Sequence, residues 1–357
     1  MRTRKRIERR RGFTLVEMVV VVAIIAVLVS LTAVAAFRLI GTQQKANTNS
    51  ELNKVQLELQ RRYRAAADKF QKETLPPTPG TALAGAYSQV FLMAGKDTDR
   101  ARVIWVKLRL KQTFPQTFYE AQYPDPMPPL PYYQQVLSQN GYTMPRANPP
   151  PSPQPWESSV LLLLALQRSE DGKGVKIEDL GVSSFIQQFQ TPIPGKTIPA
   201  LVDGWGNPLR FCRWPVGSTQ LNPPNVADPA HPGHLNNPSG AHWGDNNDPA
   251  DPSGLLAAPA WQSAFAGQFA AVCHPLYMNT PGQEAYSYRV FPLVASAGPD
   301  GILGLDKEPL SSVNPPTLSP APPQMYFFAV LQPANPPNGP GQFAADNLYP
   351  TIAPPSE

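Results

Sequence analysis

The chain has 357 residues, 42% of them apolar, so it can bury one large or two small hydrophobic cores and is not a disordered protein overall. Its formal charge is +4, but residues 1–12 alone hold seven basic residues and one acidic residue, which leaves about −2 for residues 13–357. No basic stripe with interleaved aromatic residues follows that segment. The composition therefore does not support nucleic-acid binding.

The N-terminal region contains twenty consecutive residues without a charge, from Met18 to Phe37. As a helix, this stretch would be ~30 Å long, which matches the hydrocarbon core of a bilayer. The arginines before it would stay in the cytoplasm by the positive-inside rule, and the chain after Arg38 would lie on the far side. The pattern predicts a single transmembrane helix over about residues 13–37, in an inner membrane, with a periplasmic C-terminal domain.

Three interpretations of this segment compete: a cleaved secretory signal peptide, a plain signal anchor and a prepilin leader. The run Ala33-Val34-Ala35 matches a signal-peptidase pattern and supports the first. Glu17 favours the third, because a carboxylate at the end of a membrane helix is costly unless it is paired. Cleavage between Gly12 and Phe13 would supply the partner, an α-amine with a pKa near ~8 that the Glu17 of a neighbouring subunit can neutralise.

Residues 11–17 read Arg-Gly-Phe-Thr-Leu-Val-Glu and lead directly into the apolar run. This segment resembles the class III prepilin signal of type IV pilins and type II secretion pseudopilins. The resemblance implies that a prepilin peptidase cuts after Gly12 and methylates Phe13. It also implies that Glu17 acts in assembly, and that the partners are other copies of the chain, other pseudopilins and the inner-membrane platform of the secretion machinery.

The helical pattern continues beyond the membrane segment. Apolar residues recur at helical spacing from Leu52 to Tyr63, and Pro76-Pro77 ends the pattern. We therefore expect one N-terminal helix over residues 13–75. The predicted fold is α+β: a long N-terminal helix, transmembrane in its first half, packs on a small antiparallel β-sheet, with proline-rich insertions.

Proline makes up 45 of the 357 residues, about one in eight, against about one in twenty in ordinary proteins. Residues 76–195 are predicted to form a proline-rich and helical insertion, with short packed elements over Ala84–Gly95 and Arg100–Lys111 and a buried helix over Trp156–Arg168. After the 1–12 leader, the 13–75 helix and this insertion, residues 196–357 are predicted to form a C-terminal β-region with a loop insertion over residues 215–285.

Turn-forming residues separate two apolar runs between Leu201 and Phe211, a pattern typical of a β-hairpin. The segment resembles the motif that opens the β-region of major pseudopilins. We expect a structural role, with side-chain bonds to turn amides and an aromatic ring over the sheet. The motif residues are Asp203, Trp205, Gly206, Asn207 and Pro208.

A glycine-rich loop from Ser296 to Asp306 resembles the calcium-binding loop of major pseudopilins. Calcium takes six to eight oxygen ligands, and Asp300 and Asp306 would supply carboxylates. The loop has fewer acidic residues than that family pattern, so a turn without metal is the alternative. Calcium is the only cofactor that the sequence indicates.

The two cysteines, Cys212 and Cys273, lie in the region expected to be exported, where either a disulfide or two free thiols is possible. Three of the four histidines, His231, His234 and His242, share a polar loop whose spacing matches no zinc motif. No phosphate-binding loop, serine-hydrolase elbow or metalloprotease motif occurs. These features favour a structural subunit over an enzyme.

The predicted function is that of a pseudopilin of a type II secretion system, assembled into a periplasmic pseudopilus that drives protein export. A type IV pilus subunit or a minor tip subunit, acting in adhesion, motility or DNA uptake, is the first alternative. The second is an exported or membrane-anchored protein that uses residues 1–35 only for targeting. Under that second alternative, Glu17 would have no effect on assembly.

Overall fold

The computed structural model of the protein describes residues 15–146, 154, 156–168, 185–214, 251, 253–273, 292–299, 305–306 and 330–333. Its first element, α1, is a single helix from Leu15 to Gln71. The chain divides into two compact units, residues 1–47 and residues 48–357, and α1 contributes to both. The predicted N-terminal helix is therefore present, and it ends four residues before Leu75-Pro76.

Four short helices follow α1: α2 (Ala82–Met93), α3 (Thr98–Thr113), α4 (Phe118–Gln122) and α5 (Pro131–Gln139). Side chains cap three of their N-termini. Thr81 accepts from the Ala84 amide and Asp97 from the Asp99 amide, each replacing a partner that the first turn of a helix lacks. Much of the proline-rich segment is thus helical, because its prolines lie between the helices or, as in α5, in a first turn.

Helix α6 extends from Glu157 to Gln167, and every residue from Ser159 to Leu166 is buried. A helix that is apolar on all sides must be covered on all sides. Leu162 and Leu166 pack with α1, while Leu161 and Leu164 pack with α4, α5 and β-strand residues. The prediction of a buried helix packed on the N-terminal helix is confirmed.

The described strands form three antiparallel pairs. A 3-10 helix at Leu255–Ala257 and helix α7 at Pro259–Val272 lie in the chain between the third strand and the fourth. The strand bounds are β1 Ile186–Gln190, β2 Thr197–Leu201, β3 Arg210–Cys212, β4 Leu293–Ala295, β5 Leu305–Asp306 and β6 Val330–Pro333. The α+β class is confirmed, with three small sheets among the described residues where one was expected.

The turn predicted between Leu201 and Phe211 is present, but its antiparallel pairing is limited to a short bridge, because β2 and β3 do not form a ladder with each other. β2 pairs with β1, the strand that precedes it in the chain. β3 pairs with β4, which lies some eighty residues later. Across the turn, Val202 bridges Pro208, the Asp203 amide donates to the Asn207 carbonyl at 2.8 Å, and the Leu209 amide donates to the Leu201 carbonyl at 3.0 Å. Proline lacks an amide donor, so a regular ladder cannot continue through Pro208. The predicted boundary between residues 195 and 196 falls inside the β1–β2 loop, so strand pairing joins the two segments that it separates.

The main core of residues 48–357 forms where α1, α3, α6 and the strands meet. One face of α1 supplies the apolar residues that the helical spacing indicates from Leu52 to Tyr63, and Ala66, Ala67 and Phe70 extend this face. Leu201, Phe211 and Val294 cover it from β2, β3 and β4. This arrangement fixes the turn after β2 and the segment after β4 close to α1.

Candidate functional site

The first part of α1 is long and apolar enough to cross a membrane. The stretch Leu15–Thr32 meets that test, and none of it is buried in the protein. Its two hydroxyl side chains bond within the helix: Ser30 donates to the Val27 carbonyl at 2.8 Å and Thr32 to the Leu28 carbonyl at 3.0 Å. Internal satisfaction of polar groups is what a lipid environment demands.

Glu17 lies in the first turn of α1 and is exposed. A carboxylate there also complements the positive end of the helix dipole. Gly12 and Phe13, the residues of the predicted cleavage site, lie outside the described residues. Glu17 is therefore placed at the start of the apolar helix, two residues after its first described residue.

A second site is built around the turn that follows β2. Asp203 is buried, and its Oδ1 accepts hydrogen bonds from the amides of Trp205 and Asn207, both at 2.9 Å. Its own amide donates to the Asn207 carbonyl at 2.8 Å, and Gly206 closes the turn at φ +89°. A positive φ is readily adopted by glycine alone, which explains the residue at that position. Trp205 packs against the main core from the rim of this turn.

The same turn binds two distant segments. The Ser296 hydroxyl donates to Asp203 Oδ2 at 2.7 Å, and the Asn207 side-chain amide donates to the Gly298 carbonyl at 2.7 Å. On the other side, the Gly204 amide donates to the Thr48 hydroxyl of α1 at 2.9 Å. We call this arrangement of Thr48, the 203–208 turn and residues 296–298 the Asp203 junction.

Burial raises the pKa of the Asp203 carboxyl, and the hydrogen bonds from Ser296 and from the turn amides act against that rise. All of those partners donate to the carboxylate, so the geometry suits its ionised form. Among the described residues, the partners of this carboxyl are a hydroxyl and backbone amides, and none is a basic side chain. The bonds of this junction join three separate segments of the chain, as the predicted structural role requires.

The calcium prediction remains open. Asp306 belongs to β5, and Asp300 lies outside the described residues. Within the parts of the chain that the structure describes, no group of three or more histidine, cysteine, aspartate or glutamate side chains could hold a metal ion. The four histidines, His274 included, also lie outside those parts.

Both cysteines are buried and neither is bonded to the other. Cys212 is the last residue of β3, and Cys273 follows α7. Burial raises the pKa of the Cys212 thiol to about 12. Of the two states that the sequence allowed, the structure has the free thiols, and the disulfide is not formed.

Sequence reasoning did not identify Thr48 or Gln56 as site residues. Gln56 donates to the Pro292 carbonyl at 2.7 Å and accepts from the Val294 amide at 2.9 Å, so it holds the start of β4 against α1. Polar residues on the buried face of a helix were the available signal, but the partners of such residues cannot be read from one segment.

One comparison with known proteins gave a match. Residues 8–33 match the family described as the prokaryotic N-terminal methylation motif. No curated protein and no solved structure matches the chain.

The matched segment contains Gly12, Phe13 and Glu17 and includes the whole of the apolar stretch Leu15–Thr32. It covers 26 of the 357 residues, so it characterises the N-terminus and leaves the domain that follows undefined. The chain carries the prepilin-type methylation signal of type IV pilin-like proteins on an apolar N-terminal helix.

Proposed function

We propose that this protein is a structural filament subunit, a pseudopilin of a type II secretion system. A prepilin peptidase would cleave it after Gly12 and methylate Phe13. The mature subunit would be held in the inner membrane by the first half of α1, with residues 48–357 in the periplasm. The observation that carries the proposal is the methylation motif at residues 8–33, which coincides with an exposed apolar helix.

Assembly is the mechanism. Apolar side chains of α1 would pack between neighbouring subunits, in lipid first and in the filament core afterwards. Glu17 stands at the cytoplasmic end of this stretch, where it would meet the α-amine of Phe13 on the adjacent subunit. Each charge removes the cost of leaving the other unpaired in an apolar environment.

The Asp203 junction supports a pseudopilin over a pilus subunit. The turn at residues 203–208 and the loop that begins at Ser296 are the two segments that resemble major pseudopilins. They are held together by the bond that Ser296 donates to Asp203 and the bond that Asn207 donates to the Gly298 carbonyl. Growth of the filament would then push secreted proteins toward the outer membrane.

A minor or tip subunit, of a pseudopilus or of a type IV pilus, is a second candidate. The four helices α2–α5 between α1 and α6 add bulk beside the N-terminal helix. A bulky subunit is easier to place at the end of a filament than along its length. Quantification of the subunit in purified filaments distinguishes the two, because a tip subunit is present in about one copy per filament.

The deciding experiment is the mass of the N-terminal peptide of the protein isolated from its own membranes. A peptide that begins at methylated Phe13 is the expected result. A start near Ala36 would point to signal-peptidase cleavage and remove the filament function, and an intact Met1 would point to a plain anchor. Glu17→Ala should leave the protein in the membrane but outside filaments, whereas a targeting-only role predicts no change.

We also propose that the loop ending at Asp306 binds calcium through Asp300, Asp306 and backbone carbonyls. The support is the resemblance of the loop and the preference of calcium for oxygen ligands. Millimolar calcium should raise the melting temperature of the wild-type protein and not that of Asp300→Asn. An unchanged melting temperature of the wild type would contradict this proposal and leave the filament function untouched.

A further inference from the structure

The part of α1 that belongs to the second unit has two opposite faces. Leu52, Val55, Leu59 and Tyr63 are buried in the main core. A second row of residues is exposed, and its spacing of three and four places it within an arc of roughly 80° on the other side of the helix. This row, the α1 outer face, consists of Lys54, Leu57, Arg61, Arg64 and Asp68.

The α1 outer face combines positive charge with an exposed apolar side chain. Leu57 is 70% exposed between Lys54 and Arg61. From residue 48 onward, Leu57 and Leu92 are the large apolar side chains that stand exposed among the described residues. An exposed leucine inside a charged rim is the usual composition of a protein contact, since the rim excludes water from the apolar centre.

The bases of this face are not all neutralised within the subunit. Lys54 bonds Glu51 and Arg61 bonds Glu58, each with an acid one turn back on the same helix. Arg64 is exposed and forms no ion pair in the part of the chain that the structure describes. Surface pairs one turn apart are weak and readily exchange partners.

The charge of the exported part is divided unequally. Residues 43–72 hold seven basic and three acidic residues, a net charge of +4. Residues 73–357 hold fifteen basic and twenty-one acidic residues, a net charge of −6. The helix of one copy and the remainder of another therefore attract each other, while like regions repel.

We propose that the α1 outer face binds the acidic remainder of a second copy of this chain. The contact is heterologous, because different surfaces of the two copies meet, and such contacts repeat along a helical filament. Leu57 forms its apolar centre, and Arg61 and Arg64 form its charged rim. The inference rests on the proposed filament function and names the surface by which the exported domains would meet.

The test places a photoreactive amino acid at position 57 in the full-length chain, in the membranes of cells that carry the assembly machinery. Position 92 is the matched control, since Leu92 is 59% exposed and lies on α2. Illumination should join two copies of the chain from position 57 and far less from position 92. Equal yields from both positions, or no two-copy product from position 57, would overturn the inference.

Charge reversal tests the rim. Arg61→Glu with Arg64→Glu should lower the two-copy product from position 57 by about tenfold, because repulsion replaces attraction. Lys96→Glu with Arg146→Glu makes the same change in net charge on exposed bases away from α1 and should leave the yield unchanged. An equal loss of the two-copy product in both double variants would show a general charge effect and overturn the inference. A product that joins position 57 to lipid or to a different protein would also overturn it.

Processing is measured in each variant, so the two proposals can fail separately. If Phe13 is the mature N-terminus and no two-copy product forms from position 57, the contact is wrong and the filament function stands. If Phe13 is not exposed by cleavage and the two-copy product still requires Arg61 and Arg64, the contact is supported and the filament function is wrong.

Discussion

The hydroxyl of Ser296 donates a 2.7 Å hydrogen bond to the carboxylate of Asp203, 93 residues earlier in the chain. The bond joins the turn after β2 to the segment after β4. A second bond, donated by the Asn207 side chain to the Gly298 carbonyl, joins the same two segments. The two segments with resemblance to pseudopilins therefore form one unit, which a single buried carboxylate organises.

Replacement of Asp203 should be costly for this reason. Asp203→Ala leaves the amides of Trp205 and Asn207 and the Ser296 hydroxyl without their acceptor in a buried site. We expect a loss of about 2–4 kcal/mol in the free energy of unfolding, because each buried unsatisfied group costs about 1–3 kcal/mol. Denaturant unfolding of the purified full-length protein in detergent measures it.

Asn207→Ala is the matched control for the same junction. It removes one bond, to the Gly298 carbonyl, and should cost about 1 kcal/mol. If Asp203→Ala were no more destabilising than Asn207→Ala, Asp203 would not be the centre of the junction.

Replacement of Gln56 should lower the free energy of unfolding by more than replacement of most polar residues on a helix. Its side chain pairs with both the Pro292 carbonyl and the Val294 amide, which are buried beside α1. Gln56→Ala leaves these two buried backbone groups without their side-chain partner, and we expect a loss of about 2–3 kcal/mol in the free energy of unfolding. Gln60→Ala, one turn further along α1 at a half-buried position, is the control and should change the free energy of unfolding by less than about 0.5 kcal/mol. Similar effects from both substitutions would contradict the role of Gln56.

The elements with strong local patterns were predictable from the sequence. The spacing from Leu52 to Tyr63 set the buried face of α1, and the run Val160–Leu164 indicated a helix that is covered on all sides. Both patterns reflect burial, which acts on every turn of a helix.

Strand pairing was not predictable in the same way. The turn at residues 203–208 was recognised, but the partner of β3 is β4, whose residues come far later in the chain. Short strands carry little pattern of their own, and nothing local distinguishes one partner from another. The polar contacts of Thr48 and Gln56 were missed for the same reason, since each depends on which distant backbone group lies opposite.

The cysteines should be unreactive in the folded protein. Cys212 and Cys273 are buried free thiols, and burial raises the pKa of Cys212 to about 12, so very little thiolate forms at neutral pH. We expect no labelling by a maleimide reagent in native conditions and two labels per chain after unfolding in denaturant without a reductant. Intact-protein mass gives the count. If unfolded protein required a reductant before it could be labelled, the two residues would be bridged.

A buried ion pair should give the protein a specific response to acid. Arg213 binds both carboxylate oxygens of Glu120, at 2.7 and 2.9 Å, and both side chains are almost fully buried. Burial alone would raise the pKa of Glu120, but the charge and hydrogen bonds of Arg213, the charge of Lys111 and the Gln116 amide together outweigh it, and the pKa lies below its usual value of 4.5. The folded state therefore binds this proton less readily than the unfolded state does.

The direction of the effect on stability follows. Above the usual pKa of 4.5 the carboxylate is ionised in both states, and the full contribution of the pair is present. As the pH falls from there toward the lower pKa of the folded state, the unfolded state takes up the proton first, and the contribution is progressively lost. Glu120→Gln should cost about 3 kcal/mol at pH 7, because it leaves Arg213 buried without its counter-charge. The difference between wild type and variant should then shrink below pH 4.5.

Unfolding curves of both proteins between pH 7 and pH 3 provide the measurement. Glu58→Gln is the control, since Glu58 pairs with Arg61 and Arg62 at a less buried site and should show a smaller loss that salt reduces. A difference between wild type and Glu120→Gln that stays constant, or grows, as the pH falls would contradict a lowered pKa of Glu120 in the folded state.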